Sequence, residues 1–312
     1  MFSAPQFQNP DKAREYLEAL RWAGDPVCPH CGTVGNHYAT KKPGVWRCHS
    51  KECRKDFSVT TKTVIESSHI KLHIWLQAYS LMTASKKGIS AHQLHRSLKI
   101  TYKSAWFLCH RIRESMRTGG LTPMGGEGQV IEADETYFGD VPEAKRRVSP
   151  QRLGRPFTKG GKVGVGGKRA IVSLVERGGR VRSFHPAVAD SATVANIVNE
   201  NVARESRLHT DESRLYTKVG ANFAAHETVI HSRGEYARGD VTTNSVEGYF
   251  SIFKRGMRGI YQHCGEKHLH RYLAEYDFRF NTRTALGFND GERATLAIKG
   301  IEGKRLTYRL PH

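Results

Sequence analysis

The chain has 312 residues, enough to bury a full core in one large domain and still carry one or two small ones. Lys and Arg number 49 against 30 acidic residues, a formal charge of +19 with a pI near 9.8, and the excess recurs in every segment, which points to a polyanionic partner. No run of about 18 or more apolar residues occurs and the opening MFSAPQFQNPDKAREY lacks a signal-peptide core, so the expectation is a soluble cytoplasmic protein.

In chain order, residues 1–24 predict a short amphipathic helix with Ala13, Tyr16, Leu17 and Leu20 on one face. The turn-rich segment that follows carries four of the six cysteines, Cys28 and Cys31 as a CxxC and, after 16 intervening residues, Cys48 and Cys53 as a wider pair. Four soft thiolates in two pairs suit a tetrahedral Zn²⁺ site that stabilises a module too small for its own core. His49 stands as an alternative ligand in the wider pair, and the flanking Lys41, Lys42, Arg47, Lys51, Arg54 and Lys55 are candidates for phosphate contact. From Leu72 to about Arg117 three helices are expected, the size of a helix-turn-helix unit. There Ser90 caps the second helix, KITY makes the turn, and Lys103, Ser104, Arg111 and Arg113 are expected to be available to DNA.

The Gly-rich TGGLTPMGGEG, residues 118–128, reads as a linker. Beyond it, QVIEADETYFG reads as a strand, and AIVSLVERGGRVRSFHPAV as a hairpin turning at Gly178 and Gly179. Next come a helix in SATVANIVNENVARE, short strands in RLHTD and HETVIHS, a helix in TTNSVEGYFSIFKRG and another in HLHRYLAEYDFRFNTR. That order fits a mixed sheet with helices packed on it. Residues 145–169 are basic, Gly-rich and without apolar period, and read as a mobile surface loop.

Asp134 and Asp211 both end apolar strand patterns, where paired carboxylates can converge on divalent metal. A third arm is needed. At about 100° per residue, Asn244, Glu247, Ser251 and Lys254 share one stripe of the TNSVEG helix, opposite Val246, Tyr249, Phe250, Phe253 and Met257. Asn244 with Glu247 three residues on also reads as an N-terminal capping box. His263, His268 and His270 read as packing or phosphate contacts.

Nearly the whole chain resembles the bacterial insertion-sequence DDE transposases with an N-terminal zinc ribbon, of the ISXO-two-like type. The resemblance is carried by CPHC with Cys48 and Cys53, KDFSVTTKTVIESSHIKLHIWLQA, GISAHQLHRSLKITYKSAWFLCHRIRESM, IEADETYFGD, HTDESRLY and the long run from TNSVEGYFSIFKRG to FRFNTR. It departs from the family at CHSKEC, where CxxC is usual, and at Lys62, where Gly is usual. The resemblance implies a multidomain chain: a zinc ribbon over residues 1–60, a helix-turn-helix region over 61–120 and a ribonuclease-H-like α/β catalytic domain over 121–312. It implies a triad binding two Mg²⁺ (or Mn²⁺), carried over onto Asp134, Asp211 and either Glu247 or Asn244, with Glu247 preferred because Asn adds no negative charge. Lys254, seven residues on, is expected to hold a phosphate near the scissile bond. The implied partners are double-stranded DNA, as terminal inverted repeats and target, and further copies of the chain on that DNA, in a cytoplasmic, nucleoid-associated setting. The alternatives are a non-catalytic DNA-binding protein derived from a transposase and a ribonuclease-H-like nuclease without strand transfer.

Overall fold

A computed structural model of the chain describes residues 2–22, 24–119, 122–140 and 168–307, so most of the basic loop read at 145–169 lies outside the described residues. The chain divides into two units, Met1–Thr118 together with Gly287–His312, and Gly119–Leu286.

The first unit opens with helix α1 (Pro10–Trp22), which buries Ala13, Leu17 and Trp22 on the expected face. Three short antiparallel strands follow, β1 (His37–Ala39), β2 (Val45–Cys48) and β3 (Asp56–Ser58), in the order β1-β2-β3. Lys62 adopts a left-handed φ of 54° just beyond them, a conformation glycine takes without strain. Helices α2 (Leu72–Ala84), α3 (Ala91–Leu98) and α4 (Tyr102–Met116) then pack on one another. Ser90 caps α3 by accepting from the Gln93 amide, as expected, and Thr101 caps α4 through the Ser104 amide.

Two of the arginines expected to face DNA are inside this unit. Arg113 is 2% exposed and Arg111 6%, the Arg111 guanidinium donating to the Glu66 carbonyl and lying over the rings of Trp75 and Phe107. The reason is that α4 is flanked by helices on several sides, so it has no wide polar face to offer. Lys103 is exposed, and Ser104 is half-buried, tied to the Thr101 hydroxyl.

The second unit is built on one five-stranded sheet. Strand β4 (Val130–Asp140) pairs antiparallel with β5 (Lys168–Glu176), which pairs antiparallel with β6 (Val181–Phe184) across a turn where Gly178 has a φ of 72°. Helix α5 (Ser191–Asn201) crosses over to β7 (Arg207–Thr210), parallel to β4, and β8 (Ala225–Thr228) pairs parallel to β7. The sheet order is therefore β6-β5-β4-β7-β8. A two-stranded ribbon, β9 (Ala237–Arg238) and β10 (Val241–Thr242), leads into α6 (Asn244–Gly256), which is followed by one π turn and by α7 (Leu269–Asn281).

Alternation along the strands assigns the two faces. Ile131, Ala133, Val172, Leu174 and Leu208 pack on Val194 and Val198 of α5 and on Tyr216. Ile171, Val175 and Val181 pack instead on Val246, Tyr249, Phe250 and Phe253 of α6 and on Leu273 and Tyr276 of α7. Both faces are covered, which is why the stretch IVSLV in β5 is almost continuously apolar.

The last helix, α8 (Asp290–Lys299), read in sequence as the end of the catalytic domain, belongs to the first unit, where it packs on α2 and α4. A capping box of Asn289 and Glu292 starts it, and Gly300 ends it so close to α4 that a Cβ there would lie 2.2 Å from the Ser115 carbonyl oxygen. Gly300→Ala forces two backbones apart, so it is expected to destabilise the protein by about 1–3 kcal/mol in chemical unfolding, with the loss in the transition of the first unit.

Candidate active site

In the ribbon, the four cysteine sulfurs come together, each within 4.8 Å of the others. Cys28 and Cys53 stand 3.8 Å apart and Cys31 and Cys48 3.6 Å. Thiolates held at about 2.3 Å from a central zinc stand about 3.8 Å apart along each edge of the tetrahedron, so the donor set fits Zn²⁺ with all four cysteines. Burial pushes the Cys48 thiol up to about 12 and raises Cys28, while hydrogen bonding to Thr33 brings Cys31 down to about 6. A cation is what would keep all four deprotonated together. Around the site Lys41, Lys42, Lys51, Arg54 and Lys55 are exposed, whereas Arg47 is held by Asp56 in a two-pronged ion pair.

The second metal-compatible group lies on the sheet. The parallel register sets Val130 against Arg207, Ile131 against Leu208 and Glu132 against His209. Continued by two places it sets Asp134 beside Asp211, on the side of the sheet that α6 covers. Asp134 does not end its strand as read from sequence: β4 runs on in its hairpin with β5, and what ends before Asp134 is the pairing with β7. Asp211 follows the last residue of β7. The β4–β7 ladder ends before them, while Asp134 stays paired with Ser173 of β5, and the two carboxylates are brought together at that point.

A third acid joins them. Carboxylate oxygens of Asp134, Glu135 and Asp211 lie within 4.8 Å of one another. Glu135 accepts from the Ser213 hydroxyl at 3.1 Å, its other oxygen being buried without a hydrogen bond, and Asp211 accepts from the Ser213 amide at 3.0 Å. Burial, then the charges of Asp211, Glu135 and Glu247, push the Asp134 carboxyl up to about 8. Glu135 is raised by burial and by Asp211, and Asp211 by burial. Hard oxygen donors that resist ionising side by side form a set that a divalent cation relieves, so the residues fit Mg²⁺ or Mn²⁺.

Helix α6 approaches this group from the side. Val246, Tyr249, Phe250, Phe253 and Met257 are buried while Asn244, Glu247 and Ser251 are exposed, so the stripe drawn from sequence is the stripe in the structure. Glu247 acts electrostatically on Asp134, and its Oε1 accepts from the Thr243 hydroxyl at 2.9 Å and lies 3.3 Å from His231 Nε2. Lys254 is half-buried, its ammonium pulled down by that burial and up by Asp134. Asn244 is the first helical residue, not the N-cap. Thr243 holds that position with no side-chain bond to the helix amides, so Asn244 and Glu247 form no capping box. The amides of Ser245 and Val246 go to the buried carboxylate of Glu132, a partner over a hundred residues away that no local pattern announces. Elsewhere His268 meets Arg271 at 2.8 Å, and His263 is exposed.

Residues 125–281 match the ISXO2-like transposase domain, and residues 8–56 match the transposase zinc-ribbon domain. The chain belongs to the ISXO2-like transposase family. Over 284 residues this transposase-family chain is 26% identical to an uncharacterized protein in transposable element ISH50 of Halobacterium salinarum, covering 89% of this chain and 93% of that one. Against solved structures it is similar, at 13% identity and a TM-score of 0.27, over 59% of its length and 67% of the other, to a chain from a cryoEM structure of the simian T-cell lymphotropic virus intasome in complex with PP2A regulatory subunit B56 gamma, a likeness too slight to bear on fold or function. Among the described residues no helix is long and apolar enough to cross a membrane.

Sequence reasoning missed Glu135, His231 and Glu132 in this transposase domain. Glu135 follows Asp134 in a strand, where alternation assigns it to the opposite face, and only the separation of β4 from β7 lets both reach one point. His231 carried a signal only as one more histidine in HETVIHS.

The raised Asp134 carboxyl has a consequence for stability. In protein without added Mg²⁺ or Mn²⁺ and with zinc retained, the folded state holds a proton on Asp134 that the unfolded chain, at an ordinary 3.8, has released. Stability from this group therefore falls as pH rises from about 4 to about 8. Asp134→Asn is expected to raise Tm relative to the native chain, by a margin that widens from pH 5 to pH 8 and then levels. Added Mg²⁺ should stabilise the native chain and leave the variant unchanged. A margin independent of pH contradicts the assignment.

Proposed function

We propose that this chain is a DDE transposase that binds the terminal inverted repeats of its own element, hydrolyses a phosphodiester to expose a 3′-hydroxyl, and joins that hydroxyl to target DNA. The observation that carries the reading is the meeting of Asp134 and Asp211 at the point where β4 and β7 part, inside the residues that match the transposase domain. The sheet order β6-β5-β4-β7-β8, three antiparallel strands followed by two parallel ones, supports a ribonuclease-H-like catalytic domain.

In this reading Asp134 and Asp211 are the rigid metal ligands, and Glu247 is the third arm, offered from a helix. These carboxylates would hold the divalent cations, which would supply activation of the attacking oxygen and charge stabilisation of the leaving one. Lys254 lies on the Glu247 stripe and within the field of Asp134, where its ammonium neutralises a phosphate oxygen beside the scissile bond. Water is the nucleophile of the first step and the freed 3′-hydroxyl that of the second, so one set of side chains serves both. Asn244 is exposed at the start of α6 and uncharged, which ranks it behind Glu247 as a ligand. The exposed ribbon lysines and Lys103 are the phosphate-contacting surfaces proposed for the DNA, and synapsis of two ends requires at least two copies of the chain on it, in the nucleoid.

A terminal-repeat duplex incubated with the full chain and Mg²⁺ or Mn²⁺ is expected to yield nicked and then joined products. Asp134→Ala and Asp211→Ala should abolish both with DNA binding intact. Glu247→Gln should lose about 100-fold in cleavage and Asn244→Ala less. The reverse order moves the third arm to Asn244, nicks without joined products point to a nuclease, and full activity in both aspartate variants removes the site.

A further inference from the structure

The arm that carries Glu247 is held by a residue of the strand that carries Asp134. Glu132 lies two residues before Asp134 on β4 and therefore on the same face of the sheet. Its side chain is fully buried. Oε2 accepts the amides of Ser245 at 2.7 Å and Val246 at 3.1 Å, and Oε1 accepts the Ser245 hydroxyl at 3.0 Å. Arg177, the residue after β5, donates to the same Oε1 through Nε at 3.2 Å and Nη2 at 2.9 Å. Arg177 also donates to the carbonyls of Asp240 at 2.7 Å and Thr242 at 3.3 Å, so one ion pair ties the segment entering α6 to the middle of the sheet.

The amides that Glu132 takes are those an N-cap side chain ordinarily satisfies. Thr243 is at the N-cap and is 1% exposed, yet its hydroxyl donates to Glu247 Oε1 at 2.9 Å instead of accepting from the helix. The two facts are linked. With the helix amides already bonded to a carboxylate from β4, the Thr243 hydroxyl is released to hold Glu247. A negative charge at the N-terminus of α6 is also favourable in itself, because the helix dipole is positive there.

We propose that Glu132 is a positioning residue of the metal site: it replaces the N-cap of α6, fixes the register of that helix against β4, and so sets where Glu247 stands relative to Asp134 and Asp211. This rests on the reading of Asp134, Asp211 and Glu247 as the metal-binding set. Glu132 acts through backbone amides and through Thr243 and touches neither metal nor DNA. Glu132→Gln keeps the shape but turns an NH₂ donor either toward the Ser245 and Val246 amides or toward the Arg177 guanidinium, breaking at least one leg of the arrangement.

The test is a Mn²⁺ titration of the full chain with its zinc retained and no DNA, alongside hydrogen exchange at the start of α6. Glu132→Gln is expected to lose exchange protection at Ser245 and Val246 and to weaken Mn²⁺ binding about 10- to 100-fold. In a Glu247→Gln background it should weaken binding no further, because both changes remove the same arm. Unchanged Mn²⁺ affinity in folded Glu132→Gln, or losses that add in the double variant, overturns the proposal. If Glu132→Gln does not fold, Arg177→Ala replaces it, with a smaller weakening expected and an unchanged affinity counting against. Asp134→Asn separates the two levels of the argument. If it abolishes Mn²⁺ binding while Glu132→Gln leaves it intact, only the role of Glu132 falls; if it too leaves binding intact, the metal site itself falls.

Discussion

The parallel pairing of β4 with β7 is the constraint on which the rest of the second unit depends. Because it sets Glu132 against His209 and then stops, the next residues on that face, Asp134 and Asp211, meet without a ladder to separate them. Burial first, and then the repulsion of the carboxylates brought together there, push Asp134 up to about 8. The fold tolerates it because both faces of the sheet are sealed by helices whose apolar burial is independent of the charged end. The apolar burial sits in the two cores, and the acidic group sits where the strands diverge.

The same division explains how α6 is used. Its apolar face belongs to the core with Ile171 and Val175, while its polar stripe carries Glu247 and Lys254, both close enough to Asp134 to interact with it electrostatically. A helix held only by apolar packing can slide by a fraction of a turn. Polar anchoring at its N-terminus through Glu132 and Arg177 removes that freedom at the end nearest Glu247. His231 closes the other side, with its Nε2 at 3.3 Å from both Glu247 and the Thr243 hydroxyl.

Much of this was legible in the chain. The cysteine pairs, the hairpin at Gly178, the strand-helix-strand order and the two faces of α6 all follow from spacing and period, which are local. What escaped was set by long-range geometry. The capping box drawn from Asn244 and Glu247 yields to Glu132, a partner from another strand. Arg111 and Arg113 look like surface charges in a list of helix positions, but α4 lies among other helices and turns both inward, Arg111 against the Glu66 carbonyl and the rings of Trp75 and Phe107. The return of residues 287–312 to the first unit leaves no mark in composition, since α8 has the same amphipathic pattern wherever it packs. Lys62 is the converse case: the resemblance flagged the position, and its φ of 54° supplies the reason a glycine is usual there.

The most direct test of the account is anomalous scattering from crystals of the full chain soaked in Mn²⁺. A peak is expected at about 2.1 Å from carboxylate oxygens of both Asp134 and Asp211, on the side of the sheet that α6 covers. A structure saturated with Mn²⁺ that shows no peak between those two aspartates, or a peak that leaves either of them out, would contradict it.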